Sequence, residues 1–228
     1  MEKAKNPTEL IQQIDESDAG NDAVYDGKNS YDLYALAKRL ESNEFCVEVF
    51  NTPEAATQYI VDRCKKKTVG LGDSETLRQI NLAEKLRQTN DIDLASEKKD
   101  RPDRKEAICA DIYILSANAI SYDTGEIIII DSKGNRICGG TFFPEEIIYV
   151  IGKNKIESNI IDALFRARNT AAVKNMKAHV GYNAPCEKTG YCVNCAHPDR
   201  ICRITCIIHK RPKASNITIV LVDEALGF

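Results

Sequence analysis

Apolar residues recur at helical spacing from Tyr31 onward, where Leu33, Leu36, Ala37 and Leu40 mark one face that ends at Asn43. Alternation then takes over, with Phe45, Val47 and Val49 sharing one side of a strand predicted over residues 45–50. Thr52-Pro53-Glu54 opens the next helix, because Thr caps, Pro suits the first helical position and Glu complements the helix dipole. The Lys65-Lys66-Lys67 cluster suits its carboxyl end. Beyond it the pattern predicts a strand at 68–71, a helix at 75–88 and short strands at 92–95 and 111–115. Charge-dense residues 98–105 predict a surface loop that leads into a helical turn. Residues 126–130 and 136–138 flank Asp131-Ser132-Lys133-Gly134-Asn135, which predicts a hairpin. A fully apolar strand follows at 147–151. A long helix at 158–176 then carries Ile160, Ile161, Leu164 and Phe165 on its buried face, and 217–222 reads as a closing strand.

This alternation predicts an α/β fold, a largely parallel, Rossmann-like sheet flanked by helices. Residues 1–44 form an N-terminal helical segment, with a polar, turn-rich start and a short helix at 8–15. Residues 45–178 form the core, and 179–228 a cysteine-rich segment with the closing strand of the same domain. At roughly 150 residues per domain, 228 residues suit one large domain.

Composition narrows the function. A net charge of −3 argues against a nucleic-acid partner. The longest pure apolar runs, 127–130 and 147–151, fall far short of the ~20 residues that cross a membrane. The opening Met1-Glu2-Lys3-Ala4-Lys5 lacks the apolar core of a secretion signal, so a cytoplasmic location is expected. Cys186, Cys192, Cys195, Cys202 and Cys206 crowd into one short stretch where even spreading of the 9 cysteines would place about one. Cys46, Cys64, Cys109 and Cys138 read as small core residues.

In a parallel sheet, ligands sit beyond the carboxyl ends of the strands. Gly70-Leu71-Gly72-Asp73-Ser74-Glu75-Thr76-Leu77 occupies such a position. Gly70 and Gly72 admit a close ligand, and Ser74 and Thr76 supply hydroxyls for an anion; the plainer alternative is a strand-to-helix turn capped by Ser74. Neither a dinucleotide fingerprint nor a Walker loop is present. Asn118, Asp131, Asn135 and Arg136 are candidates for the same rim. Arg136 would hold an anion there and Asp111 or Asp131 would move a proton, against the alternative that these residues serve only as turn formers.

Gly70–Leu77 as quoted, Ala110-Asp111 with Asn118-Ala119-Ile120-Ser121, Gly134-Asn135-Arg136 and Gly152-Lys153-Asn154-Lys155-Ile156 together resemble the LUD (lactate-utilisation) domain family. Pro185-Cys186 through Arg200-Ile201-Cys202 and Glu224-Ala225-Leu226-Gly227 resemble a subgroup with a cysteine-rich tail. The resemblance implies a fold like that of ribose-5-phosphate isomerase and coenzyme A transferases. It also implies a part in lactate oxidation beside iron–sulfur or flavin partners. The chain departs from the family pattern at Asp73, where glycine is usual, and at Ser116-Ala117, where Thr-Gly is typical. The resemblance also directs Asn154 and Lys155 to the pocket; otherwise Lys155 reads as a solvated lysine.

The tail spacing Cys186-x5-Cys192-x2-Cys195-x6-Cys202 suits four thiolates around zinc or an iron–sulfur cluster, with Cys206 and His197 in reserve; the alternative is reduced thiols or disulfides. The leading expectation is therefore a subunit in organic-acid oxidation that binds a small anionic metabolite. The runner-up is a stand-alone isomerase or transferase acting on a phosphorylated or carboxylated metabolite, and a third is a redox-responsive interaction protein. A homo-oligomer is admitted by the sequence but not required.

Overall fold

The computed structural model describes residues 31–89, 93–94, 101–179 and 181–228. The predicted loose start and the helix at 8–15 lie outside them.

Helix α1 (Leu33–Ser42) starts at Asp32, whose carboxylate accepts from the amides of Tyr34 and Ala35. There follow β1 (Cys46–Phe50), α2 (Pro53–Arg63), β2 (Thr68–Leu71), α3 (Glu75–Gln79), α4 (Leu82–Arg87), β3 (Asp93–Leu94) and α5 (Arg101–Ile108). Next come β4 (Ile112–Leu115), β5 (Ala119–Ser121), β6 (Ile127–Asp131), α6 (Asn135–Thr141), β7 (Glu146–Gly152) and β8 (Ile156–Glu157). The chain continues with α7 (Ile160–Arg166), α8 (Ala172–Ala178), α9 (Pro185–Thr189), β9 (Ile204–Ile208) and β10 (Asn216–Val222). As expected, Thr52 caps α2 through a bond from Ala55 N, with Pro53 in its first turn.

Sheet 1 has the order β1-β10-β7-β4-β2-β3, and every pair in it is parallel. Alternation along β7 builds two cores. Ile147, Tyr149 and Ile151 face α1 and sheet 2, whereas Ile148 and Val150 face α2, α3 and α4. Sheet 2 (β8-β5-β6-β9) is mostly antiparallel, and its far face packs on Ala163, Ala167 and Ala172. The chain passes from sheet 1 to sheet 2 twice, through 116–118 after β4 and through 153–155 after β7.

Several expectations need correcting. The stretch 131–135 opens α6 instead of a hairpin. Gly134 takes φ +84°, and the Asp131 carboxylate accepts from the amides of Lys133 and Ile137, which turns the chain into a helix. The strand β6 pairs instead with β5 and β9. The helix at 75–88 breaks at Asn81, which adopts φ +53°. The helix at 158–176 runs as α7 and α8 joined by a π turn at Ala167–Ala171, and its most buried face is Ala163, Arg166 and Ala167. Helix α5 takes over part of the expected 98–105 loop. Of the four cysteines read as core only Cys64 is buried, while Cys46, Cys109 and Cys138 are exposed. Burial pushes the Cys64 thiol up to about 12.

Gly70 is a packing residue. A Cβ there would lie 1.9 Å from the carbonyl oxygen of Ala107 in α5, a backbone atom that cannot swing away. Gly70→Ala should therefore destabilise the fold by about 2–3 kcal/mol, read as a lower urea midpoint. An unchanged midpoint would show that α5 is free to shift.

Candidate functional site

A cleft of 990 Å³ opens at the carboxyl ends of β2 and β4, beside the first crossing into sheet 2. It gathers Gly72, Ser74, Asn118, Asp131, Asn135 and Arg136 from the predicted set and adds Asp73, Arg78, His179 and Tyr182.

The loop after β2 forms one wall. Gly72 N donates to Ile114 O at 2.8 Å, which extends the sheet pairing to the rim. A Cβ on Gly72 would lie 2.9 Å from the Leu115 Cβ and 3.2 Å from the Tyr113 hydroxyl, so a side chain would be crowded here. Ser74 starts α3 without a side-chain capping bond. Arg78 donates to Asp73 at 2.6 Å and to Glu75 at 2.8 Å, so the loop's two carboxylates engage its cation. Burial pushes the Asp73 carboxyl up, but the Arg78 hydrogen bond and the nearby Arg78, His179 and Arg136 outweigh it and hold it below the usual range.

The opposite wall carries Arg136. Its NH2 donates to Asn118 Oδ1 at 3.0 Å, and the same oxygen accepts from Ile130 N at 2.8 Å. The Arg136 Nε is buried and has no acceptor among the described residues. Such an orphaned charged donor in a cleft wall calls for an anion. Asp131, by contrast, is 6% exposed and spends its carboxylate oxygens on the α6 turn, so it positions Arg136 rather than moving protons.

His179 closes the third side, one residue beyond α8. Its Nδ1 lies 2.8 Å from the Asn175 carbonyl, which can only accept, so Nδ1 donates there. Tyr182 packs edge-on against the ring at 5.5 Å. Sequence reading missed His179 by grouping it with the tail; its ring bonds a backbone carbonyl, which any residue at 175 would supply, so no side-chain pattern marks it.

The other expected site residues lie elsewhere. Asp111 sits at the amino end of β4, bonded to the Thr68 amide at 2.8 Å while its own amide donates to Thr68 Oγ1 at 2.8 Å. It is therefore a clasp on the rim opposite the cleft. Thr76, Asn154 and Lys155 form a buried knot. Lys155, 4% exposed, donates to Thr76 Oγ1 at 2.7 Å, Ser116 Oγ at 2.8 Å and Ala117 O at 3.1 Å. Burial pushes its ammonium well below the usual lysine range, and Arg166 and Arg136 push it further. Hydrogen-bond directions oppose that push. Ser116 Oγ donates to Val150 O and Thr76 Oγ1 donates to Leu226 O, so both hydroxyls must accept from Lys155, and Ala117 O can only accept. Three acceptors require three N–H donors, which only the ammonium has. Lys155 thus ties the two sheet crossings together. Arg166 ties them again, donating to Asn154 O at 2.8 Å and Asn118 O at 2.5 Å beside Glu157. Burial pulls its guanidinium down to about 10 against the Glu157 charge. Asn154 receives the Leu226 amide and donates to Gly227 O.

Cys186, Cys192, Cys195 and Cys202 are all half-buried in the tail. Among the described residues no three His, Cys, Asp or Glu side chains converge as a metal-holding group.

The family model of the LUD domain matches residues 33–222. The chain belongs to the LUD domain family. No curated protein matches this LUD-domain chain. A solved structure described as a DUF162 family protein from Deinococcus radiodurans is similar at 12% identity and a TM-score of 0.47, covering 83% of this chain and 95% of that one. Among the described residues of the LUD-domain chain, no helix is long and apolar enough to cross a membrane.

Proposed function

We propose that the cleft binds a small 2-hydroxy or 2-oxo carboxylate, and that the protein serves lactate-type oxidation as a subunit beside an iron–sulfur or flavin partner. The observation that carries the reading is the buried Arg136 Nε without an acceptor in the cleft wall. A carboxylate satisfies that donor, and the adjacent NH2 makes the contact forked. Membership of the LUD domain family supports the lactate context. Oxidising a 2-hydroxy acid removes the hydroxyl proton and two electrons with the C2 hydrogen. In this reading His179 Nε2 would take the hydroxyl proton. The C2 hydrogen would leave as a hydride to a flavin of the partner, from which an iron–sulfur centre would draw the two electrons one at a time.

Calorimetric titration of the purified chain with lactate, pyruvate and ribose 5-phosphate tests this. Saturable binding of lactate or pyruvate, with none of the sugar phosphate, is the expected result. Tight sugar-phosphate binding with turnover would overturn it in favour of a stand-alone isomerase or transferase.

A further inference from the structure

Sheet 1 ends in β1 and β3, and sheet 2 in β8 and β9. A bare edge strand presents unused amides and carbonyls that invite another chain, and folds blunt it with shortness, charge or proline. Three of these edges are blunted: β3 and β8 are two residues long, and β1 carries Glu48 at its centre. The fourth is not. Strand β9, Ile204-Thr205-Cys206-Ile207-Ile208, runs for five residues without charge, proline or glycine, and all but Cys206 are β-branched. Its first residue, Ile204, is 41% exposed. Hydrogen bonding in sheet 2 fixes which groups stay open. On β6, Ile128 O accepts from Asn118 N and Ile130 N donates to Asn118 Oδ1, so these two residues turn toward β5. Ile127, Ile129 and Asp131 therefore face β9, opposite Ile208, Cys206 and Ile204. The amides and carbonyls of Thr205 and Ile207 point the other way, where no strand pairs with them among the described residues.

We propose that a second copy of this chain closes the β9 edge, strand against strand in antiparallel register about Cys206, so that the two four-stranded sheets join into one. The strand is self-complementary about that point. Thr205 of each copy exchanges both backbone hydrogen bonds with Ile207 of the other. Ile204 falls opposite the other copy's Ile208, Cys206 falls opposite its own counterpart, and no like charges meet within the strand. Just beyond it, Arg203 comes opposite the other copy's His209, whose Nδ1 is bonded to the Glu126 carboxylate, so an acid stands where the arginine arrives. A charged strand from an unrelated protein would find no counter-charge within β9, whereas this apolar, β-branched strand matches itself. Five residues of strand bury less than a standard interface, so the association is weak and depends on protein concentration.

Sedimentation of the full, reduced chain over a range of concentrations reads the association, and a monomer–dimer equilibrium is expected. Thr205→Pro removes an outward amide from each copy but no bond to β6, so it should weaken the dimer by about tenfold or more. Thr205→Lys keeps the amide but sets a charge against the apolar edge, and it should weaken the dimer too. Oxidation of the wild-type chain with copper–phenanthroline should link Cys206 to its counterpart, located by peptide mass spectrometry. Side chains opposite each other in a non-hydrogen-bonded pair lie within disulfide reach. This bridge needs no substitution, so it decides the matter if either variant fails to fold. A chain that stays monomeric at every concentration reached would overturn the proposal. Slow amide exchange at Thr205 and Ile207 in that monomer would show that another part of the same chain closes the edge. A dimer that survives both variants and forms no Cys206 bridge would put the contact elsewhere and overturn it as well.

Discussion

Lys155→Met should lower stability by about 4 kcal/mol and the melting temperature by about 10 °C. The substitution keeps volume and apolar stem but leaves Thr76 Oγ1, Ser116 Oγ and Ala117 O without their buried donor. Orphaning each such group costs about 1–3 kcal/mol. Lys153, two residues earlier, provides the control. Its ion pair with Asp223 leaves both side chains 53% exposed, so Lys153→Met should cost less than about 1 kcal/mol. Equal melting temperatures for the two variants would show that Lys155 is no clamp. A Lys155→Met chain that melts normally but loses lactate would make this residue part of the binding site.

Arg136→Ala should weaken carboxylate binding by about 30- to 150-fold, equivalent to roughly 2–3 kcal/mol for a charge-assisted forked contact. Stability should barely move. Nε has no partner to lose, and Asn118 Oδ1 keeps its bond from Ile130 N. Arg136→Lys should recover only part of the affinity, because an ammonium cannot present the fork. Titration of each variant with lactate alongside a melting curve separates the two roles. Unchanged affinity in Arg136→Ala would remove this residue from the site and, with it, the reason for placing a carboxylate there.

The six-stranded sheet was readable where strands are buried on both faces. The apolar run at 147–151 matches β7 closely, because a continuous run of large apolar residues has few other uses, and the strand at 68–71 coincides with β2. Sheet 2 escaped notice because β5 and β8 are only 3 and 2 residues long, and β9 hides inside a segment whose cysteines drew the attention. In the site, Gly72 and Asn118 were accessible to reasoning from sheet direction, whereas Arg136, read as the start of a hairpin strand, lies in the first turn of α6. That reasoning also excludes Asp111: a residue immediately before a parallel strand lies on the amino rim, away from the ligand edge. Lys155 could not have been assigned correctly, since whether a lysine is solvated or buried against three oxygens depends on chain segments about 40 and 80 residues away in sequence. Asp73, in the loop, is neutralised by Arg78 of the helix α3 that follows it.

The position of β10 bears on how the molecule is made. Asn216–Val222 lies between β1 and β7, inside sheet 1 rather than at its edge. A nascent chain emerging at about 5–20 residues per second carries β1 with an open edge for roughly 10–30 s before its neighbour exists. Sheet 1 therefore cannot assemble strand by strand during synthesis. It waits for a late insertion beside β1, and a ribosome that stalls before residue 216 releases β1 as an unpaired strand apart from the four-stranded remainder of the sheet rather than a slightly shorter protein.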